Sequence, residues 1–280
     1  MKQWKIILIP VVLAYLTILG LFLLAQRTLI YRPTPLNGDT PQKYGLHYQD
    51  VSFPSSDGIT ITGWWIQHPQ GKTPRPVLLY CHGNGANISL LSEVSRLFYD
   101  FGFDELLFDY RSFGASQHAP LSEIAVAADA LAAYHWIQTR GVPENRMLIW
   151  GHSLGSSVAA WLATQTHPAG LILEGAFPST RAISTKRYPW LLVFPFMIQD
   201  PFDTEAYVQK RTCPLLEFHA EKDTIIPIDL GERVFAKAVE PKQFVVVKGI
   251  DHNDFPSVAE GYKDVVMNFT KGCLKQAATR

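Results

Sequence analysis

The pentapeptide Gly151-His152-Ser153-Leu154-Gly155 restricts this chain more than any other stretch. It reads G-x-S-x-G. The short apolar run Met147-Leu148-Ile149-Trp150 precedes it, and Ser156-Ser157-Val158-Ala159-Ala160-Trp161 follows at once. The first run suits a strand buried on both faces, the second a closely packed helix. Strand, one sharp turn and helix form the context in which such a serine becomes a nucleophile elbow. The turn imposes an unfavourable backbone on the serine. Gly151 and Gly155, having no Cβ, let neighbouring chain come close. The Ser153 hydroxyl is then expected above the sheet at a helix N-terminus, with the Leu154 N–H aimed at a developing oxyanion. The same pattern also occurs by chance in loops, and it is the flanking elements that favour the elbow.

The rest of the chain alternates in the same way. Residues 48–53 and 59–67, separated by Pro54-Ser55-Ser56-Asp57-Gly58, read as an antiparallel hairpin. Apolar runs at 77–81, 105–109, 147–150, 171–174, 215–219 and 244–247 read as strands. Helical stretches are expected between them, at 88–101 and 121–139 among others, the latter rich in alanine. Such alternation predicts an α/β fold with a mostly parallel sheet and helices on both faces. Sites in these sheets lie at the carboxyl ends of the strands. Residues 177–211 interrupt the pattern with four prolines and the aromatic residues Tyr188, Trp190, Phe194 and Phe196. A short helical lid over the serine is expected there, the alternative being two ordinary surface helices.

A serine hydroxyl needs a base in reach, and the base needs an orienting carboxylate. Around an elbow these follow in the order Ser, acid, His. Asp223 stands just beyond the strand ending at His219, and His252 just beyond the last strand. Both are thus expected at the sheet edge that carries Ser153. Asp223 could instead cap a helix, with Glu221 or Glu174 as the acid. His82, His118, His152, His167 and His219 are rivals to His252, but none follows the last strand. His82-Gly83-Asn84-Gly85 follows an apolar strand. Its Asn84 N–H is the expected second oxyanion donor beside that of Leu154, and His82 is expected to anchor the loop. Asp109 and Arg111 are expected to brace a further loop through hydrogen bonds.

Residues 1–30 differ from the remainder. Ile6 to Ala25 is uncharged and almost wholly apolar, between Lys2 and Lys5 on one side and Arg27 on the other. As a helix it would rise about 30 Å, the thickness of a bilayer's hydrocarbon core. Leu23-Leu24-Ala25 is a poor cleavage site, which favours an uncleaved membrane anchor over a signal peptide. Lys2, Lys5 and the amino terminus against Arg27 and Arg32 place the folded domain on the non-cytoplasmic side, by a margin of one charge. Residues 31–43 read as an extended linker, and 44–280 as one large α/β domain. A formal net charge of zero gives no support for nucleic-acid binding. Three scattered cysteines form no disulfide framework, and Cys81 reads as a small buried apolar residue.

Taken in order, Cys81-His82-Gly83-Asn84-Gly85, Asp109-Tyr110-Arg111, the elbow, Asp223-Thr224-Ile225-Ile226-Pro227 and Asp251-His252 resemble the α/β-hydrolase superfamily. The chain is similar in particular to membrane-anchored serine hydrolases of the ABHD kind and their bacterial relatives. The resemblance implies an eight-stranded sheet, a Ser153–Asp223–His252 triad, and neither metal nor organic cofactor. The expected activity is that of a membrane-tethered serine hydrolase cleaving esters or thioesters, and the aromatic insertion with the nearby bilayer points to an acyl or lipid-like substrate. A peptidase is the alternative, with Glu174 or Glu205 as candidates for recognising a peptide amino terminus. A non-catalytic binding module normally lacks a triad member, and here all three are present. The chain departs from the family in having Ser112 and Ser156 where glycine is common.

Overall fold

Eight apolar stretches become strands of one sheet in the computed structural model, which describes residues 3–69, 74–190, 197–256 and 259–279. The strands are β1 (Tyr48–Pro54), β2 (Thr60–Ile66), β3 (Val77–Cys81), β4 (Asp104–Asp109), β5 (Met147–His152), β6 (Gly170–Glu174), β7 (Leu215–Ala220) and β8 (Lys242–Val247). They lie in the order β1-β2-β4-β3-β5-β6-β7-β8. β2 pairs antiparallel with both β1 and β4, and every other neighbouring pair is parallel. The strand from 147 continues through His152, and its side chains alternate between two cores. Met147 and Ile149 join the core on one face, Leu148 and Trp150 that on the other.

Helices α3 (Glu123–Thr139), α4 (Leu154–Gln165), α6 (Thr204–Lys210) and α7 (Ile228–Lys237) cover the first face. Helices α2 (Ser92–Phe101) and α8 (Tyr262–Ala277) cover the second. The helix expected over 88–101 splits, with a 3-10 turn at Ile88–Leu90 ahead of α2. Asn87 explains the split, since its carboxamide oxygen caps the Ser89 N–H and fixes a start before Leu91.

The N-terminal segment is helix α1 (Gln3–Ile30), and Leu8–Ile30 within it is long and apolar enough to cross a membrane. Only 6% of that span is buried, and Leu13, Leu16 and Leu21 stand exposed. Its last turns meet the domain. Residues 31–40 after it carry no helix or strand, a 3-10 turn follows at Pro41–Tyr44, and the segment is laid on the domain surface. Tyr31 and Pro41 are buried, and the Asn87 carboxamide donates to Thr34 Oγ1 at 2.8 Å and to the Pro35 carbonyl at 3.0 Å.

The 177–211 region divides in two. Helix α5 (Thr180–Arg187) borders the cavity described below, whereas α6 packs on α4 and α7 as an ordinary covering helix. Phe194 and Phe196 lie outside the described residues.

Candidate active site

Ser153 joins β5 to α4 with φ 53° and ψ −121°, a left-handed backbone that non-glycine residues rarely adopt. Its surroundings hold it there. The Ser153 N–H donates to the Glu174 carbonyl at 2.9 Å, and the Ser153 carbonyl accepts from Ser156 N–H at 2.9 Å. The two flanking glycines are steric requirements. A Cβ at Gly155 would stand 2.0 Å from the Cys81 carbonyl oxygen, and one at Gly151 would stand 2.3 Å from that of Gly155. Ser156 fits without loss, since its hydroxyl donates toward the Gly151 and Glu174 carbonyls at 3.0 and 2.9 Å.

Asp223 and His252 come together from the loops after β7 and β8. His252 Nδ1 lies 2.7 Å from Asp223 Oδ2, and both side chains are buried. Asp223 Oδ1 accepts N–H bonds from Ile225 at 3.0 Å and Ile226 at 2.6 Å. Burial pushes the Asp223 carboxyl up, but the His252 hydrogen bond and charge together with the Ile226 amide outweigh it, leaving it below its ordinary value. Asp251 ties the two loops together, accepting from Thr224 N–H at 2.8 Å and from His252 N–H at 2.7 Å. His252 Nε2 is buried and finds no hydrogen-bond partner among the described residues. With Nδ1 on Asp223, Nε2 is the ring nitrogen that remains available. The His152 ring lies 5.0 Å from that of His252, next to Ser153 in the chain.

The other predicted residues fall as follows. Asn84 lies on the loop after β3 and lines the same cavity as Ser153 and Leu154. Gly83 sets this loop against the elbow, for a Cβ there would come within 3.3 Å of Ser153 Cβ. Leu154 opens α4, so its N–H has no intrahelical acceptor. His82 is fully buried, with Nδ1 2.8 Å from the Gly83 carbonyl, and burial lowers its pKa to about 4, consistent with an anchor. Arg111 braces its loop through Asp129 and Asp57, both at 2.7 Å. Ser112 takes a positive φ of 67°, and its hydroxyl holds that turn by bonding to Ala119 through both N–H and carbonyl. Burial pushes the Cys81 thiol up to about 12, as fits a packing residue.

Neither rival acid reaches His252. Glu221 accepts from Gly249 N–H at 3.0 Å. Glu174 is buried beneath the rim, accepts from the Tyr262 hydroxyl, and stands 4.0 Å from His152 Nδ1. Burial raises it to about 8, against the opposing effect of the Tyr262 hydroxyl and the neighbouring Trp150 indole.

Several contributors carry no local sequence signal. Gly175 has φ 57°, and a Cβ on it would lie 2.8 Å from His252 Cε1. His219 stands behind the acid, with Nε2 2.8 Å from the Ile226 carbonyl and 3.5 Å from Asp223 Oδ2. The end of α1 forms part of the cavity wall, which the reading of residues 1–30 as a span does not anticipate. The cavity measures about 400 Å³, within the range of small-molecule sites. Among the described residues, no group of three or more His, Cys, Asp or Glu side chains is placed to hold a metal ion.

Comparison with known proteins agrees with this architecture. Residues 72–199 match the family described as serine aminopeptidase, S33. The chain is 36% identical over 239 residues to the uncharacterized protein Rv2307c of Mycobacterium tuberculosis, covering 84% of this chain and 83% of that one. It is 31% identical over 245 residues to the lysophosphatidylserine lipase ABHD12 of Rattus norvegicus, covering 73% of this chain and 60% of that longer protein. Among solved structures, the esterase Pf2001 of Pyrococcus furiosus superposes with a TM-score of 0.69 at 19% identity, over 88% of this chain and 98% of the esterase. The chain belongs to the α/β-hydrolase superfamily.

Proposed function

We infer that the protein is a membrane-anchored serine hydrolase that cleaves carboxylic esters or thioesters through an acyl-enzyme on Ser153. The observation that carries this reading is the left-handed Ser153 backbone at the β5–α4 junction, opening into the cavity beside the Asn84 loop. In the proposed reaction His252 Nε2 takes the Ser153 proton as Oγ attacks the acyl carbon. The Asn84 and Leu154 amides hold the oxyanion, an arrangement worth about 100–1000-fold per donor. Asp223 keeps Nδ1 protonated and stabilises the imidazolium. His252 then gives its proton to the leaving alkoxide or thiolate. A water deprotonated by His252 attacks the acyl-enzyme, releasing the acid and returning the proton to Ser153. The longer relative ABHD12 is a lysophosphatidylserine lipase, which supports an acyl, lipid-like substrate.

The aminopeptidase alternative is favoured by the name of the matching family. Recognition of a peptide amino terminus needs an acidic group, and among the described residues no carboxylate lines the cavity. Glu174 is buried away from the cavity, and Glu205 pairs with Arg233 at 3.3 Å. These facts favour the ester reading. The apolar stretch Ile6 to Ala25 is proposed as the span, with the domain on the non-cytoplasmic side, as the two lysines ahead of it argue.

A fluorophosphonate probe tests the nucleophile. Wild type is expected to be labelled and Ser153→Ala to be blank; equal labelling of both overturns the assignment. Turnover of p-nitrophenyl acyl esters alongside aminoacyl arylamides then separates esterase from peptidase, with arylamide preference sinking the ester reading. Release of the full-length chain from membranes by a salt wash would reject the span.

A further inference from the structure

The proposed oxyanion loop is fastened to the end of α1. The Asn84 carboxamide donates to the Ile30 carbonyl at 3.0 Å, satisfying one of the acceptors left open at a helix C-terminus. The Arg32 N–H donates back to the Asn84 carbonyl at 3.1 Å. The helix is itself fixed to the segment between α5 and α6. Gln26 donates to the Met197 carbonyl at 2.8 Å and accepts from Gln199 N–H at 3.0 Å, while Arg27 pairs with Asp200 at 3.0 Å. Phe22 meets Tyr188 edge to face at 6.5 Å. Between these two attachments Phe22, Leu29 and Ile30 form an apolar wall of the cavity that holds Ser153. The rest of the helix, upstream of Phe22, presents exposed leucines.

The charges in the cavity are one-sided. Arg32 and Arg187 both line it, and among the described residues no acidic side chain does and neither guanidinium has a carboxylate partner. Two unpaired guanidiniums beside an apolar wall match a ligand with an anionic oxygen group on one end and an acyl chain on the other.

We propose that the end of α1 is a working part of the site: it holds the Asn84 loop, walls the acyl-binding cavity, and with Arg32 and Arg187 selects acyl esters that carry an anionic group. This rests on the hydrolase reading above. The anion is a phosphate or a carboxylate, two sources of the same charge-assisted recognition.

The test uses full-length protein in detergent micelles. Substrates share one acyl chain on glycerol and carry a phosphate, a hemisuccinate or no charged group. Wild type is expected to prefer an anionic ester over the neutral one in kcat/KM, the better anion identifying the source. In the R32Q/R187Q double variant that ratio should fall roughly 10–100-fold, the scale of losing charge-assisted bonds. A wild type without anionic preference, or a variant that keeps it, overturns the anion site. Asn84→Ala removes the tether but keeps the backbone amide. It should lower kcat about tenfold with KM little changed, and Asn84→Gln should recover part of the loss; wild-type kcat in Asn84→Ala overturns the brace. Leu29→Trp should shift p-nitrophenyl ester preference toward shorter chains, and an unaltered chain-length profile overturns the wall. If Ser153 were not the labelled nucleophile, the hydrolase reading itself would fail, an outcome visible before any of these ratios is taken.

Discussion

Asp223 and Glu174 sit at the ends of neighbouring strands of one sheet, and their environments push them in opposite directions. Asp223 accepts two backbone amides and the His252 imidazole, and its carboxyl is held below its ordinary value. Glu174 has the Tyr262 hydroxyl on one oxygen, while its other oxygen has no hydrogen-bond partner among the described residues, and burial raises it to about 8. Location at the carboxyl rim therefore does not decide whether an acid is charged. The supply of donors that favour the charged form does. At neutral pH the first is an anion able to orient an imidazole, and the second is a neutral group that fills the sheet.

The largest expected effect breaks this contrast directly. Asp223→Asn should lower kcat by roughly 10⁴-fold, the scale seen when the orienting acid of a triad becomes an amide. Glu174→Gln should leave kcat within about threefold, since an amide closely mimics a protonated carboxyl. The check is steady-state hydrolysis of a p-nitrophenyl ester by both variants at pH 7. If Glu174→Gln were the crippled one, the acid would have been assigned to the wrong strand.

Gly175 tests how tightly the imidazole is placed. Its positive φ and its contact with His252 Cε1 leave no room for a side chain. Gly175→Ala should displace the ring and cost on the order of 100-fold in kcat, as misplacement by about 1 Å does. Fluorophosphonate labelling should slow in parallel, while an unchanged labelling rate would show that the ring tolerates the push.

These residues also mark what a sequence can disclose. The strands, the elbow and the chain order Ser153, Asp223, His252 leave local traces, because apolar runs and turns obey short-range rules. The meeting of Asp223 with His252 follows from those traces, since both loops leave the same edge of a parallel sheet. Gly175, Tyr262 and the end of α1 leave none. Their roles depend on contacts between residues far apart in the chain, such as Asn84 with Ile30 or Tyr262 with Glu174. Nor can a residue's ionisation be read from its type, because burial and donors decide it. The 177–211 segment shows a third limit. Prolines and aromatics mark it as irregular, yet only packing separates α5, which borders the cavity, from α6, which covers the sheet.

A smaller effect concerns stability against pH. Glu174 moves from an ordinary value of 4.5 to about 8 in the folded chain. Between those values the native state binds more protons at this group than the unfolded one, so its contribution to stability is fully present below about pH 4.5 and is lost as pH rises through 8. Glu174→Gln removes this group's share. Its Tm should decline less than that of wild type between pH 5 and 9, although Glu105, also raised to about 8 by burial, continues to contribute in both. Parallel Tm curves for the two proteins would show that Glu174 titrates normally.

Tyr262→Phe sharpens the same point with the smallest change. The Tyr262 hydroxyl donates to Glu174 and is among the influences that lower its pKa, in opposition to burial. Removing it leaves the carboxyl with burial less opposed, so its pKa should climb further. The cost at pH 7 should be modest, about 1 kcal/mol, because the bond lost there is between two neutral groups. The stability lost to rising pH should then extend to higher pH than in wild type, the reverse of the flattening in Glu174→Gln. In the double variant Glu174→Gln/Tyr262→Phe the steepening should vanish, since it acts only through the carboxyl. Thermal unfolding of the four proteins across pH 5 to 9 decides it: a steeper decline that persists in the double variant would mean that Tyr262 acts on some other group.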